Sequence, residues 1–159
     1  MIEEVFCDLD GFLFNFDKKI EYLTKSDIQR VPKGLIFSLS RKKDFYADLE
    51  LYPESKGLLK SLFETKLKIS ILSSTGGMNH HEVVKQKLIC IKNNLNEFSF
   101  FRVVFVNNSK RKVDYASTNS ILIDDQVSNV GSFIKAGGQA IHHTDFKNTK
   151  TQLIEKGLL

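Results

Sequence analysis

Val5-Phe6-Cys7-Asp8-Leu9-Asp10-Gly11 is the stretch on which the fold turns. Its apolar first half reads as a buried strand, and that strand ends in two carboxylates one residue apart, followed by a glycine. Residues i and i+2 of a strand share a face, so Asp8 and Asp10 are expected to emerge together, with Gly11 letting the backbone turn sharply beside them. Two carboxylates so close repel unless a cation lies between them. Ser120-Ile121-Leu122-Ile123-Asp124-Asp125 repeats the device far down the chain, an apolar strand ending in acids. The two strand ends describe one site for a divalent cation, and Mg2+ is the expected ion.

Between and beyond these segments, short runs rich in Ile, Val and Phe alternate with stretches of helical periodicity. The runs are Val5–Leu9, Leu67–Leu72, Phe101–Val106, Ser120–Ile123 and Ala140–His142. Helices are expected over Asp17–Lys25, from near Pro53, over Glu82–Ile91, over Val127–Ala136 and over Thr149–Lys156, with Gly137-Gly138 closing the fourth. Strands alternating with helices predict an α/β fold, a Rossmann-like three-layer sandwich around a central parallel sheet. One segment breaks the alternation. Residues 14–51 are too long for a plain crossover and predict a small, mostly helical cap inserted after the first strand, with Pro32-Lys33-Gly34 as a break inside it.

The 159 residues suit a single domain spanning 1–159. Hydrophobic content of 42% and charged content of 26% are those of an ordinary globular chain rather than a disordered one. A net charge of +4, from 23 Lys+Arg against 19 Asp+Glu, gives weak support to a polyanionic or phosphorylated partner, and a solvated lysine-rich surface accounts for it better. Cys7 and Cys90 form no disulfide framework, no apolar run approaches a membrane span, and Met1-Ile2-Glu3-Glu4 leaves no room for a signal core. A cytoplasmic protein without membrane partners is the expectation.

In a parallel sheet every strand's C-terminal end faces one rim, where ligands bind. The rim should therefore collect Asp8 and Asp10, then Ser73-Ser74-Thr75 with Gly76-Gly77, then Asn107-Asn108-Ser109 with Lys110-Arg111-Lys112, and finally Asp124-Asp125. Acids for a cation, hydroxyls and amides for a phosphate, and a lysine to neutralise charge make a coherent phosphoryl-transfer set. In this order the chain resembles the haloacid dehalogenase (HAD) superfamily of phosphohydrolases, through DxDG at Asp8–Gly11, a strand ending in Ser73, a lysine at Lys112 and the acidic pair Asp124-Asp125. Asp44-Phe45-Tyr46-Ala47-Asp48-Leu49-Glu50-Leu51-Tyr52-Pro53, Asn129, and Ala136-Gly137-Gly138 before His142 are similar to the 5'(3')-deoxyribonucleotidase branch.

The resemblance implies roles. Asp8 would be the nucleophile and Asp10 the general acid and base. Magnesium would be held by Asp8, the Asp10 carbonyl and Asp125, with Asp124 at the metal or orienting a water or the lysine. Ser73 would hold a phosphoryl oxygen, with the Ser74 and Thr75 amides nearby, and Lys112 would screen charge. The substrate would be a small phosphoester, most naturally a (deoxy)ribonucleoside monophosphate hydrolysed by a 5'-nucleotidase. A nucleic-acid end is the less favoured alternative, and a phosphoacceptor or binding module without turnover is the alternative of another class. Several assignments keep rivals. Asp124-Asp125 also suits a helix cap, and Ser73–Gly77 also suits a polar loop. Lys110 competes with Lys112. Phe12, Phe14, Phe45 and Tyr46 suit either a base or the core, and Lys87 either reaches a phosphate or ribose or is solvated. His80-His81 and His142-His143 lack the spacing of a zinc site. The chain departs from the branch at Ser73-Ser74-Thr75-Gly76-Gly77, where Thr-Ser-Pro is often found, and at Cys90-Ile91, where Trp-Leu is common, so base preference stays open.

Overall fold

The computed structural model describes residues 1–159 and contains five parallel strands: β1 (Glu4–Cys7), β2 (Lys68–Ser74), β3 (Val103–Val106), β4 (Ser120–Asp124) and β5 (Gln139–His142). Their order across the sheet is β3-β2-β1-β4-β5, which puts the first strand at the centre with β2 and β4 as neighbours. Six α-helices, α1 (Phe16–Thr24), α2 (Lys33–Ser40), α3 (Ser55–Phe63), α4 (His80–Asn94), α5 (Val127–Lys135) and α6 (Phe146–Glu155), complete the chain. Short 3-10 helices cover Ile28–Arg30 and Ser109–Tyr115. This is the α/β architecture that the alternating pattern predicts.

Strand register explains the two apolar layers. Val5 pairs with Ile69 and Ile121, and Cys7 with Ile71 and Ile123, so these residues line one face and join the larger core. Phe6 is paired with Leu122 and points the other way, into a smaller cluster with Leu72, Val106 and Phe133. Alternation by one residue thus feeds both faces, as a sheet covered on both sides requires. β4 is buried throughout, and on it the chain carries Asp124 into the interior.

Element ends differ from expectation in ways that matter at the rim. β1 stops at Cys7 rather than Leu9. The Asp8 N–H still donates to the Ile123 carbonyl, but the chain then folds onto itself, and the Leu9 carbonyl accepts from Phe12, Leu13 and Phe14. Asp8 and Asp10 are therefore presented by a tight turn, not by strand alternation. β2 runs two residues further than the apolar run, through Ser73 and Ser74. Pro32 does not break a helix but starts one: its carbonyl accepts from Leu35 and Ile36 as the cap of α2, a place where a missing N–H costs nothing.

The insert leaves and returns through one neck. Phe14 bridges Leu51 antiparallel, the Asn15 N–H donates to the Glu50 carbonyl, and the Tyr52 N–H donates to the Leu13 carbonyl. Beyond the neck come α1, the first 3-10 helix and α2, and Phe16 and Asp17 at the start of α1 line the cavity at the rim. Arg41, which follows α2, reaches back to the loop after β2, donating to the Gly76 carbonyl and to the Met78 sulfur while its guanidinium lies on the Phe37 ring.

Candidate active site

At the C-terminal rim the ends of β1, β2 and β4 and the 3-10 helix after β3 converge on a cavity of about 280 Å3. Asp8, Asp10, Ser74, Ser109, Lys112, Asp125 and Asn129 line it, and Phe16 is its one apolar wall residue. The volume lies near the lower end of the usual ligand-pocket range of about 300–1,000 Å3. A polar wall of this kind suits a small charged substrate better than a lipid or a large apolar ligand.

Lys112 organises one side. Its ammonium lies 2.9 Å from Asp8 Oδ1 and 2.6 Å from Asp124 Oδ2, and its side chain is only 2% exposed. Burial works against its charge, but Asp8 and Asp124 outweigh burial and hold the lysine pKa above its ordinary value. Lys110 is exposed, with its backbone N–H capped by Asn108, so the structure separates the two lysines that the sequence leaves in competition. Lys112 sits inside the short helix rather than ahead of it.

The acid pair divides in function. Asp124 is fully buried, and both oxygens have partners: Oδ1 accepts from the Gln126 N–H and from Asn129, Oδ2 from Lys112 and Asn129. It caps the turn into α5 and fixes the lysine. Asp125 accepts from the Gln126 side chain at Oδ2, whereas its buried Oδ1 has no hydrogen-bond partner. A buried acceptor left unpaired is costly unless something else satisfies it. Gly11 makes room for this carboxylate, since a Cβ there would stand 2.3 Å from Asp125 Oδ2 and the glycine φ is +80°.

One carboxylate oxygen from each of Asp8, Asp124 and Asp125 lies within 4.8 Å of the others. Burial, reinforced by Asp124, Asp10 and Asp125 and opposed by Lys112, pushes the Asp8 carboxyl up to about 7. Burial and the Asp124 charge push Asp125 up to about 6. When all are ionised, the carboxylates of Asp8, Asp10, Asp124 and Asp125 outnumber the two buried ammoniums, Lys87 and Lys112, and Asp17 on the cavity wall adds to the excess of negative charge. Orphaned oxygen, hard donors and surplus charge all fit a divalent cation, with Asp8 and Asp125 as the residues to hold it.

On the other side, Ser73 is completely buried and its Oγ accepts from Lys87, while Ser74 lines the cavity. Thr75 departs from expectation. Its N–H is spent on the Val106 carbonyl and its hydroxyl on His80, so its amide is not available to a phosphate. Phe45 also departs from the role of base contact: it is 3% exposed and packs against Phe16 and Tyr46 in the core. Phe12 and Phe14 are likewise core residues. Tyr46 is half-buried, its N–H bonded to Gln86, its ring 4.8 Å from the Lys87 ammonium. Lys87 is neither solvated nor directed at the open cavity. It is buried against Asp10 Oδ2 at 2.5 Å. The buried residues of α4 are Val83, Gln86, Lys87, Cys90 and Ile91, so the helix turns this lysine inward, where it has to be paired. Phe16, Gln126 and Ser109 belong to the cavity wall without having stood out as site residues.

No family model matches the sequence, and no curated protein matches it. Solved structures do. A HAD-superfamily hydrolase from Ehrlichia chaffeensis matches with a TM-score of 0.57 at 16% identity over 98% of each chain. A HAD-family enzyme from Bacteroides thetaiotaomicron, in complex with magnesium and inorganic phosphate, matches with a TM-score of 0.58 at 11% identity, over 94% of this chain and 99% of its own. L-2-haloacid dehalogenase from Xanthobacter autotrophicus, with chloropropionic acid covalently bound, matches with a TM-score of 0.59 at 14% identity, over 100% and 85%. The chain has the fold of the haloacid dehalogenase-like hydrolases. No helix is long and apolar enough to cross a membrane.

Proposed function

We propose that this protein is a magnesium-dependent phosphomonoesterase that works through an aspartyl-phosphate, with a small phosphorylated molecule, a (deoxy)ribonucleoside monophosphate, as substrate. The observation that carries the reading is the meeting of Asp8, Asp125 and Lys112 on the cavity wall with a surplus of negative charge and an unpaired Asp125 oxygen. A carboxylate that displaces halide needs no cation beside it, whereas a phosphate dianion approaching an aspartate does.

Asp8 attacks phosphorus, and the P–O ester bond breaks. The leaving alkoxide takes a proton from Asp10 and departs as the alcohol. Asp10 then takes a proton from a water that attacks the same phosphorus, which returns Asp8 as a carboxylate and releases phosphate. Lys112 favours the ionised form of Asp8 against its burial and offsets charge on the phosphoryl group. Ser74, on the cavity wall, offers its hydroxyl to a phosphoryl oxygen in place of the expected Ser73, which lies buried against Lys87, and Asp124 and Asn129 hold Lys112 and the α5 turn in place. Bound magnesium would supply Lewis-acid stabilisation at the phosphoryl oxygens, held by Asp8 and Asp125 with the Asp10 carbonyl. Phe16 offers an aromatic face for the base.

The test is phosphate release from a panel of deoxy- and ribonucleoside monophosphates with and without magnesium, beside the Asp8→Asn protein. Magnesium-dependent release that disappears in the variant is expected, and the ranking of the panel assigns sugar and base. Release that survives Asp8→Asn would remove the nucleophile and with it the mechanism. Turnover confined to an aryl phosphate, together with inhibition by DNA that weakens steeply with salt, would shift the substrate to nucleic-acid ends.

A further inference from the structure

Lys87 is a charged side chain that the chemistry above does not use, and its surroundings are too specific for packing alone. An ammonium has three N–H donors. Around Lys87 Nζ stand three acceptors, Asp10 Oδ2 at 2.5 Å, the Ser74 carbonyl at 2.7 Å and Ser73 Oγ at 2.9 Å, and the Tyr46 ring covers what remains. The side chain is 2% exposed. Burying an ammonium is unfavourable unless it is fully paired, and an apolar residue on this stripe of α4 would pack against Val83 and Cys90 at no such cost.

One of the three acceptors is a group that the reaction needs, and the other two, the Ser73 hydroxyl and the Ser74 carbonyl, fix where the ammonium stands. Asp10 carries the proton for the leaving group, and Lys87 holds its Oδ2, which leaves Oδ1 to carry and deliver that proton. Ser73 is buried behind the cavity wall, so its bond to Lys87 anchors the lysine rather than meeting the substrate. We propose that Lys87 is a positioning residue that, anchored by Ser73 and the Ser74 carbonyl, sets the Asp10 carboxylate for proton delivery. It neither gains nor loses a proton in the cycle. The inference rests on the phosphomonoesterase reading and deepens it.

The experiment compares wild type, Lys87→Met, Asp10→Asn and the double variant on two magnesium-supported substrates, a nucleoside 5'-monophosphate with a poor alkoxide leaving group and p-nitrophenyl phosphate with a good one. Melting curves accompany the kinetics. Misplacing a proton donor by about an ångström costs on the order of 10²-fold, and an activated aryl leaving group scarcely needs that donor. Lys87→Met should therefore lower kcat on the nucleotide by about tenfold more than on the aryl phosphate, with KM little changed, and should cost almost nothing further on the nucleotide once Asp10 is asparagine. Equal losses on both substrates, or a full Lys87→Met loss retained in the Asp10→Asn background, would overturn the positioning role and leave the phosphatase reading standing. If wild type releases no phosphate from either ester, the phosphatase reading itself falls. Should Lys87→Met fail to fold, Lys87→Gln, which is one atom shorter and uncharged but keeps two N–H donors, carries the same comparison.

Discussion

Lys112 and Lys87 are each 2% exposed and each faces a carboxylate of the candidate site, yet their partners differ. Lys112 lies between Asp8 and Asp124, whose side chains are 8% and 0% exposed, so removing it leaves two carboxylates with little or no water to solvate them. Lys87 bonds Asp10, 24% exposed, together with a hydroxyl and a carbonyl that have no charge. The first lysine neutralises charge, and the second fixes positions. A buried cation therefore has to be judged by what its partners do without it.

The difference should be largest at Lys112. Lys112→Met is expected to lower phosphate release by about 10³-fold, the upper range for losing one preorganised charge donor. It should also destabilise the fold by about 3–5 kcal/mol, because it strands buried carboxylates. Adding Asp124→Asn should recover much of that stability and none of the rate, as read by urea melts and kinetics on one preparation. If Lys87→Met destabilises the protein as much as Lys112→Met does, the contrast between the two lysines is wrong.

Asp125→Ala comes next. It removes the carboxylate whose Oδ1 lacks a partner while leaving Lys112, Asp8 and Asp124 in contact. The magnesium concentration for half-maximal rate should rise at least about tenfold, with the fold intact. An unchanged requirement, measured by magnesium titration, would assign the metal elsewhere.

The surplus negative charge also predicts how metal and pH combine. Asp8 at about 7 and Asp125 at about 6 lie above the ordinary aspartate value, so both bind protons more tightly folded than unfolded. Their contribution to stability is complete below about pH 4 and is lost as pH rises through 6 to 7. In chelator the melting temperature should fall between pH 5 and pH 8. Magnesium at a hundredfold excess over its Kd should restore about 2.7 kcal/mol, or about 5–10 °C, at pH 8, and less at pH 5 where protons compete. A magnesium shift of equal size at both pH values would separate the cation from these carboxylates.

Sequence reasoning reached those parts of the site whose signal is local. An apolar run ending in acids marks Asp8 and Asp125 wherever the chain places them, and parallel topology then brings the ends together at one rim. The Asp8–Asp10 turn was read as strand geometry because the apolar character of Leu9 continues past the last ladder residue, and only the three N–H groups gathered by the Leu9 carbonyl show where the strand ends. Lys87 was illegible for another reason. Its neighbours Lys85, Gln86 and Leu88 look like a solvated face, and what decides its fate is that Asp10, some seventy residues earlier, arrives beside it. Thr75 failed as a phosphate ligand because β3 claims its N–H, a pairing that register alone reveals.

The aromatic residues offer the smallest effect and the clearest correction. Phe45 was expected at the substrate and lies in the core, whereas Phe16, one turn from the neck of the insert, stands on the cavity wall and packs edge-on against Phe45 at 5.4 Å. Phe45 is thus the support and Phe16 the surface. Base stacking on an aromatic face contributes about 1–3 kcal/mol, so Phe16→Leu should raise KM for a nucleotide by about fivefold or more and leave KM for a phosphoester without a base unchanged. Phe45→Leu should lower the melting temperature by a few degrees, with KM shifting only as far as Phe16 loses its backing. The reverse pattern, with nucleotide KM following Phe45 and not Phe16, would mean that the insert moves enough on binding to bring a buried ring to the substrate.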